Sequence, residues 1–321
     1  MARGVLIDCD PGVDDALALY AALASDAVTV RGVTTVFGNV TVRQATRNVL
    51  RLLHVLEPSP AARVGEGSSQ PLKDSRLPRR VLQGRDGLGD LGLPLAAASS
   101  PLFESTAVIT NLIETGAVET LIALGPLTNI AHAFASAPST MRRLRELVVA
   151  AGVIVERGRS IATEFNLAGD LAAARCLLGS GMRIRWVPLN VAAVVAIPAE
   201  WPDRFQAAAP RNPVALAIHG LLTAAVRRDA QRLAGSTPRA PAGTPVPETV
   251  ALVMALEPSL GTWSARRVVI EQGTRSGRLH VEAGQPNAEV CESIRAEAVV
   301  DLLWTLWMRL ASDGVAHATH S

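Results

Sequence analysis

Several features that would tie this 321-residue chain to large partners are missing. The formal charge is only +2, and no basic stripe interleaved with aromatic residues occurs, so nucleic acid is not an expected partner. No apolar run approaches the ~20 residues that a membrane span needs. The opening "MARGVLIDCD" lacks the long apolar core of a signal peptide and reads as folded sequence from the start. Cysteine is scarce: Cys9, Cys176 and Cys291 are odd in number and widely scattered, which predicts reduced thiols in a cytoplasmic protein rather than a disulfide frame. There is no low-complexity block, internal repeat, P-loop or G-x-G-x-x-G.

What the chain has is apolar residues, 49% of the total, in short β-branched runs alternating with helical patterns. "GVLID", "VTVRGVTTVFGN", "ARVGEG", "ETLIALG", "RELVVAAG" and "RIRWVPLN" read as strands. Between them, "DDALALYAALAS", "TVRQATRNVLRLLHVL", "FESTAVITNLIETG", "PLTNIAHAFAS" (with Pro126 in its first turn) and "AGDLAAARCLLGSG" read as helices. Strands separated by helices pair in parallel and collect ligands at their carboxyl ends. The expected fold is therefore α/β, a doubly wound, mostly parallel sheet flanked by helices. A helical portion over about residues 196 to 256 and a hairpin, "ARRVVIEQGTRSGRLHVEAG", follow it. The Pro- and Gly-rich stretch 234–247 reads as a mobile loop. Residues 1–315 are expected to form one domain, with a disordered tail at 316–321.

The densest chemistry lies in "VLIDCDPGVDDALALY", residues 5–20, which packs four aspartates into eight positions. Residues two apart on a strand share a face, so Asp8 and Asp10 leave the strand pointing the same way. After the "PG" turn, Asp14 and Asp15 open a helix, where the dipole favours negative charge. A ring of carboxylates at a sheet edge suits a hard divalent cation with oxygen ligands. Zinc fits poorly, because no histidine or cysteine pair stands at ligand spacing. An EF-hand loop from Asp8 would need glutamate where Leu19 stands, and a haloacid dehalogenase-type phosphatase would need Thr or Val at Gly12. Simple helix capping by Asp14 and Asp15 would account for an isolated pair of aspartates but not for four at one junction.

"DCDPGVDDALAL" resembles the signature of the nucleoside hydrolases, the inosine–uridine preferring nucleoside N-ribohydrolases. Further matches follow in order: "FGNV" at 37–40, "GRDGLGD" at 84–90, "ALGPLTNIA" at 123–131, "EFN" at 164–166, and the hairpin. The resemblance implies Ca2+ held by Asp10, Asp15, the Leu124 carbonyl and a late-helix carboxylate. It implies that Asp10 takes the proton of the attacking water, and that Asp14, Asn39, Glu164 and Asn166 grip the ribose hydroxyls, with Asp8 supporting from behind. It further implies a riboside substrate and a homodimer or homotetramer. Breaking an N-glycosidic bond builds positive charge on the sugar, which nearby carboxylates stabilise. A bound cation lowers the pKa of water, and a grip on the hydroxyls supplies positioning.

Three departures stand out. The His-Asp pair expected at the start of a late helix is Pro247 and Glu248 here, so a carboxylate remains and the histidine that assists the departing base is lost. Gln83 replaces the second expected histidine, before "GRDGLG", leaving a residue that can hydrogen-bond a substrate but not titrate. Gly158 stands where an asparagine is expected six residues before Glu164. The metal half is kept and the leaving-group half is rebuilt. General acid catalysis contributes typically ~10²–10⁴-fold, so its loss need not abolish turnover. The alternative is a catalytically weak riboside-binding relative acting as a sensor or scaffold. Substitutes lie in "AIHGLLTAAVRRDAQR", where Arg227 and Arg228 would stabilise an anionic leaving group or bind a substrate phosphate. His219 is a weaker acid candidate, and Trp201 and Trp263 are candidates for stacking on a base. His54, His132, His280, His317 and His320 carry no site signal.

Overall fold

The computed structural model describes residues 2–58, 60–73, 83–95, 102–154, 164–233, 243–271 and 277–318, with side chains to residue 312. Strand β1 (Arg3–Cys9) runs buried into the acidic turn and is followed by α1 (Val13–Leu23). The unit repeats through β2 (Val28–Thr35), α2 (Val42–Leu56) and β3 (Arg63–Glu66). Next comes β4 (Phe103–Glu104), leading straight into α3 (Ser105–Glu114). The expected helix therefore loses its first two residues, because the Glu104 carboxylate accepts the Ala107 N–H and serves as N-cap.

The chain continues through β5 (Thr120–Ala123), α4 (Thr128–Ser136), α5 (Pro138–Met141), β6 (Glu146–Ala150) and β7 (Val153–Ile154). Pro126 lies before the N-cap of α4, at Leu127, rather than inside its first turn. The helix expected over "AGDLAAARCLLGSG" is two, α6 (Phe165–Gly169) and α7 (Leu171–Leu178). Asp170 divides them, its carboxylate capping α7 at the Ala173 N–H. After β8 (Ile184–Val187) come α8 (Leu189–Ala192), β9 (Ala196–Ile197), α9 (Trp201–Ala208), α10 (Pro213–Leu233), β10 (Thr244–Pro245) and α11 (Pro247–Leu256). The expected mobile loop lies partly outside the described residues, at 234–242, and partly in β10.

The expected hairpin is present as β11 (Gly261–Ile270) and β12 (Arg278–Glu282), antiparallel, with Arg267 opposite Glu282. Sequence patterning missed β13 (Ala288–Ile294), which inserts between β8 and β11. The last helix, α12 (Ala296–Ala318), extends into the region expected to be a disordered tail; residues 319–321 lie outside the described residues. Extending a formed helix costs little compared with starting one, which accounts for the added turn.

Among the described residues an 11-stranded sheet results, in the order β4-β3-β2-β1-β5-β6-β8-β13-β11-β12-β7, and β9 and β10 form a separate antiparallel pair. From β4 to β13 every neighbour is parallel. The β1 strand is central, flanked by β2 and β5, and its last five residues are all buried. Helices cover both faces, as a parallel sheet requires. One apolar cluster joins α1, α10, α11 and α12, including Tyr20, Phe205 and Trp307, and the other joins α3, α4 and α7, including Trp186. The segments leaving β1, β2, β5 and β6 thus converge at one edge of the sheet, where ligands of such folds bind.

Candidate active site

All four aspartates of the N-terminal turn are at most 2% exposed. Asp8 stands behind the others, in register with Thr34 of β2, and its Oδ1 accepts the Thr34 hydroxyl (2.6 Å) and the Asn129 amide (2.8 Å). Asn129 carries the site from α4 to β2 by also donating to the Thr35 carbonyl at 2.9 Å. Asp10 Oδ2 accepts the Asn39 backbone N–H at 2.6 Å. The Asn39 amide in turn donates to the Asp10 carbonyl (3.3 Å) and to Asp15 Oδ2 (3.4 Å), so one side chain clamps both proposed metal-binding aspartates. Two glycines leave room for Asp10: a Cβ on Gly125 would sit 2.8 Å from its Oδ1, and one on Gly38 would strike its Oδ2.

Asp14 accepts the backbone N–H groups of Glu248 and Thr249, each at 3.0 Å. The Thr249 hydroxyl also lies against Asp14 Oδ1 and 2.9 Å from the Asp14 carbonyl. Expected to grip the sugar, Asp14 here also satisfies the orphan donors at the start of α11 and so places Glu248 in the first turn facing α1. Glu164, likewise expected at the sugar, makes structural bonds here. Its carboxylate accepts from Gly152 (2.7 Å), Asn166 (2.7 Å) and Leu167 (2.8 Å), capping α6. The Asn166 amide donates to the Leu124 carbonyl (2.7 Å) and the Ala150 carbonyl (3.1 Å), tying the ends of β5 and β6 together.

Burial governs the electrostatics. Desolvation raises Asp8 from 3.8 to about 7, against the pull of its bonds to Asn129 and Thr34. It raises Asp15 likewise to about 7, helped by the charge of Asp14 and opposed by the Gly12 N–H and the charge of Arg228. The thiol of Cys9, buried between these aspartates, is pushed well above its ordinary value by the same desolvation. No described ion pair involves Asp8, Asp14 or Asp15. Asp8 Oδ2 and Asp15 Oδ1 are buried without a hydrogen-bond partner among the described residues.

Such orphaned carboxylate oxygens are expensive in a low-dielectric interior, and a cation would satisfy them. The available donors are oxygens alone, from Asp10, Asp15 and the Leu124 carbonyl, which suits a hard divalent ion. Among the described residues, no three His, Cys, Asp or Glu side chains are gathered as a metal site. Asp10 and Asp15 are joined through Asn39, the Leu124 carbonyl accepts the Asn166 amide, and Glu248 stands in the first turn of α11, whose N–H groups bond Asp14.

Gln83 is buried, and both ends of its amide are engaged. Its Oε1 accepts the Val13 N–H (2.6 Å) at the start of α1, and its Nε2 donates to Asn39 Oδ1 (2.9 Å). A residue expected to face substrate therefore also holds Asn39 in place. Gln83 lines a cavity of about 190 Å³ with Val13, Asp90, Arg227, Arg228 and Gln231. Arg228 reaches the Pro245 carbonyl at 3.1 Å, two residues before Pro247. A larger cavity, about 580 Å³, is lined by Phe37, Gly38 and Phe165 among others.

The other candidates lie elsewhere. Trp201 is core, packed edge-on against Trp304 and Trp307 at 5.1 and 5.9 Å. Trp263 donates to the Pro258 carbonyl at 2.9 Å and carries Arg185 over its ring. His219 is half-buried on α10 and lines neither cavity. Gly158 and His320 lie outside the described residues, and all three cysteines are free. Sequence reasoning missed Asn129, Thr34 and Thr249. Asn129 stood inside a quoted motif, but Thr34 and Thr249 carry no local signal, since a hydroxyl's partner across the fold is invisible in one dimension.

Comparison with known proteins identifies the family. The family model described as inosine-uridine preferring nucleoside hydrolase matches residues 5–301. A pyrimidine-specific ribonucleoside hydrolase, RihA of Citrobacter koseri, is 31% identical over 311 residues, covering 94% of this chain and 97% of that protein. Uridine nucleosidase 1 of Arabidopsis thaliana is 37% identical over 191 residues, 58% of this chain and 56% of its own. Among solved structures, a purine-preferring ribonucleoside hydrolase from Gardnerella vaginalis superposes with a TM-score of 0.85 at 20% identity, over 96% of this chain and 99% of that one. With the matched motifs lying at the sheet edge just described, the chain belongs to the inosine-uridine preferring nucleoside hydrolase family.

Proposed function

We propose that this N-ribohydrolase cleaves the N-glycosidic bond of a ribonucleoside with calcium held by Asp10, Asp15, the Leu124 carbonyl and Glu248, and without histidine acid catalysis. The observation that carries the reading is the buried acidic turn at the sheet edge, where Asp15 Oδ1 has no hydrogen-bond partner among the described residues and Asn39 holds Asp10 and Asp15 together. When bound, the cation supplies Lewis-acid polarisation and offsets the charge of the crowded carboxylates. Asp10, held by Asn39 and given clearance by Gly38 and Gly125, accepts the proton of the attacking water. Asp14, Asn39, Glu164 and Asn166 hold the sugar hydroxyls by accepting from them on their side-chain oxygens, the amide protons of Asn39 and Asn166 being used in structural bonds. Their remaining negative charge stabilises the positive charge that grows on the sugar. Relatives named for pyrimidine ribonucleosides and uridine support a pyrimidine riboside as the first substrate to try.

A second reading, a catalytically weak riboside binder, draws on Pro247 and on the engaged amide of Gln83 at the two expected histidine positions. Release of free base and reducing sugar from ribonucleosides, with calcium and with a chelator, separates the two. The expected outcome is calcium-dependent release, lost together with calcium binding in Asp10→Ala. Full turnover by Asp10→Ala would refute the mechanism, and riboside affinity without release from any riboside would establish the binder. No described helix is long and apolar enough to cross a membrane. Free cysteines and the family resemblance support a cytoplasmic homodimer or homotetramer, without nucleic-acid or membrane partners.

A further inference from the structure

A riboside hydrolase without its histidines must still manage the electron pair that departs with the base. We infer that the cavity of about 190 Å³ between the Gln83 loop and α10 receives the leaving group, and that Arg227 stabilises it as an anion. This rests on the N-ribohydrolase reading of the adjoining carboxylates and names the class of aglycone they serve. The cavity shares a wall with the carboxylate site: Val13 and Gln83 line it, and Gln83 bonds Asn39, which clamps Asp10 and Asp15. Arg228 is close enough for its charge to act on Asp15, yet one of its nitrogens is committed to the Pro245 carbonyl. Arg227 also lines the cavity and is exposed, and no described hydrogen bond or ion pair uses its guanidinium. The one carboxylate on the wall, Asp90, directs Oδ1 to the Arg85 and Asp86 N–H groups of its own loop.

The charge pattern is thus polarised. Carboxylates surround the sugar position, where positive charge grows, and guanidinium faces the leaving side, where negative charge grows. As the C–N bond breaks, its electron pair goes to the base nitrogen. The water oxygen bonds to the anomeric carbon and its proton passes to Asp10, so that solvent protonates the departed anion afterwards. An arginine cannot act as a general acid near neutral pH, since its pKa exceeds ~12, but it can pair with an anion. The volume is below the ~300–1,000 Å³ of drug-sized pockets and suits a single ring. The leaving groups so favoured are single-ring heterocycles with acidic nitrogens or carbonyl oxygens flanking the departing atom, as in an imide.

The test compares uridine with 4-nitrophenyl β-D-ribofuranoside, whose phenolate departs readily as an anion without help. In Arg227→Gln, kcat/KM for uridine should fall about 10–10²-fold, the effect of losing one hydrogen bond to a charged group. The nitrophenyl riboside should lose less than about 5-fold, because little of its barrier lies in stabilising the phenolate. Arg227→Lys, which keeps the charge, should recover part of the loss on uridine. Equal losses on both substrates, or none on uridine, would overturn this inference alone. A wild-type protein that cleaves neither substrate with calcium present overturns it together with the reading on which it rests.

Discussion

Asp8 carries the clearest residue-scale consequence of burial. Its carboxyl is held near 7 instead of 3.8, chiefly by desolvation. The folded state therefore keeps a proton that the unfolded chain releases, and this favours folding fully below about pH 4. That contribution is lost as the pH rises towards 7, over a range worth up to about 4 kcal/mol. Asp8→Asn retains an oxygen for Thr34 and Asn129 but has no proton to lose. In chelator, the urea midpoint of wild type should fall relative to Asp8→Asn between about pH 4 and 7 and level off above. A difference that stays constant with pH would mean the carboxyl is not perturbed as argued.

Among elements, the start of α11 is the joint that brings the N-terminal turn to the last carboxylate. Pro247 suits a first helical turn, having no N–H to satisfy, and the next two N–H groups are both met by Asp14. Thr249→Val removes the hydroxyl from Asp14 without changing side-chain shape. A lost hydrogen bond to a charged acceptor costs about 1.5–3 kcal/mol, and Thr249→Ser should restore most of it. Because Glu248 rides on this turn, calorimetric titration should also show weaker calcium binding in Thr249→Val. Lowered stability with unaltered calcium affinity would remove Glu248 from the cation site.

At the scale of the whole molecule, the site joins segments far apart in sequence, from β1, β2, β5, α6 and α11. A ligand that bridges them stabilises only the folded chain. At 100 times its Kd, such a ligand adds about 2.7 kcal/mol. For a chain of 321 residues that corresponds to about 4 °C in Tm. Calcium should raise the melting temperature by this order in scanning calorimetry, and excess chelator should reverse it. A melting temperature indifferent to both would leave the carboxylates stabilised by protons alone.

Local pattern was enough for the β1–turn–α1 junction, the alternating parallel strands and the crowding of four aspartates at one sheet edge, because strand periodicity, helix-start chemistry and charge crowding all act within a few residues. It failed where the cause was distant. The β13 strand owes its place to β8 and β11 on either side, and the break at Asp170 depends on Thr128 and Leu72, which its Oδ2 accepts at 2.8 Å each. Tertiary structure alone decided that Gln83 would hold Asn39, that Asp14 would cap a helix more than two hundred residues away, and that Arg227 would share a cavity wall with Gln83. Those outcomes follow from which buried polar groups meet once the sheet closes, and hydrogen bonding across a fold leaves no period in the sequence to read.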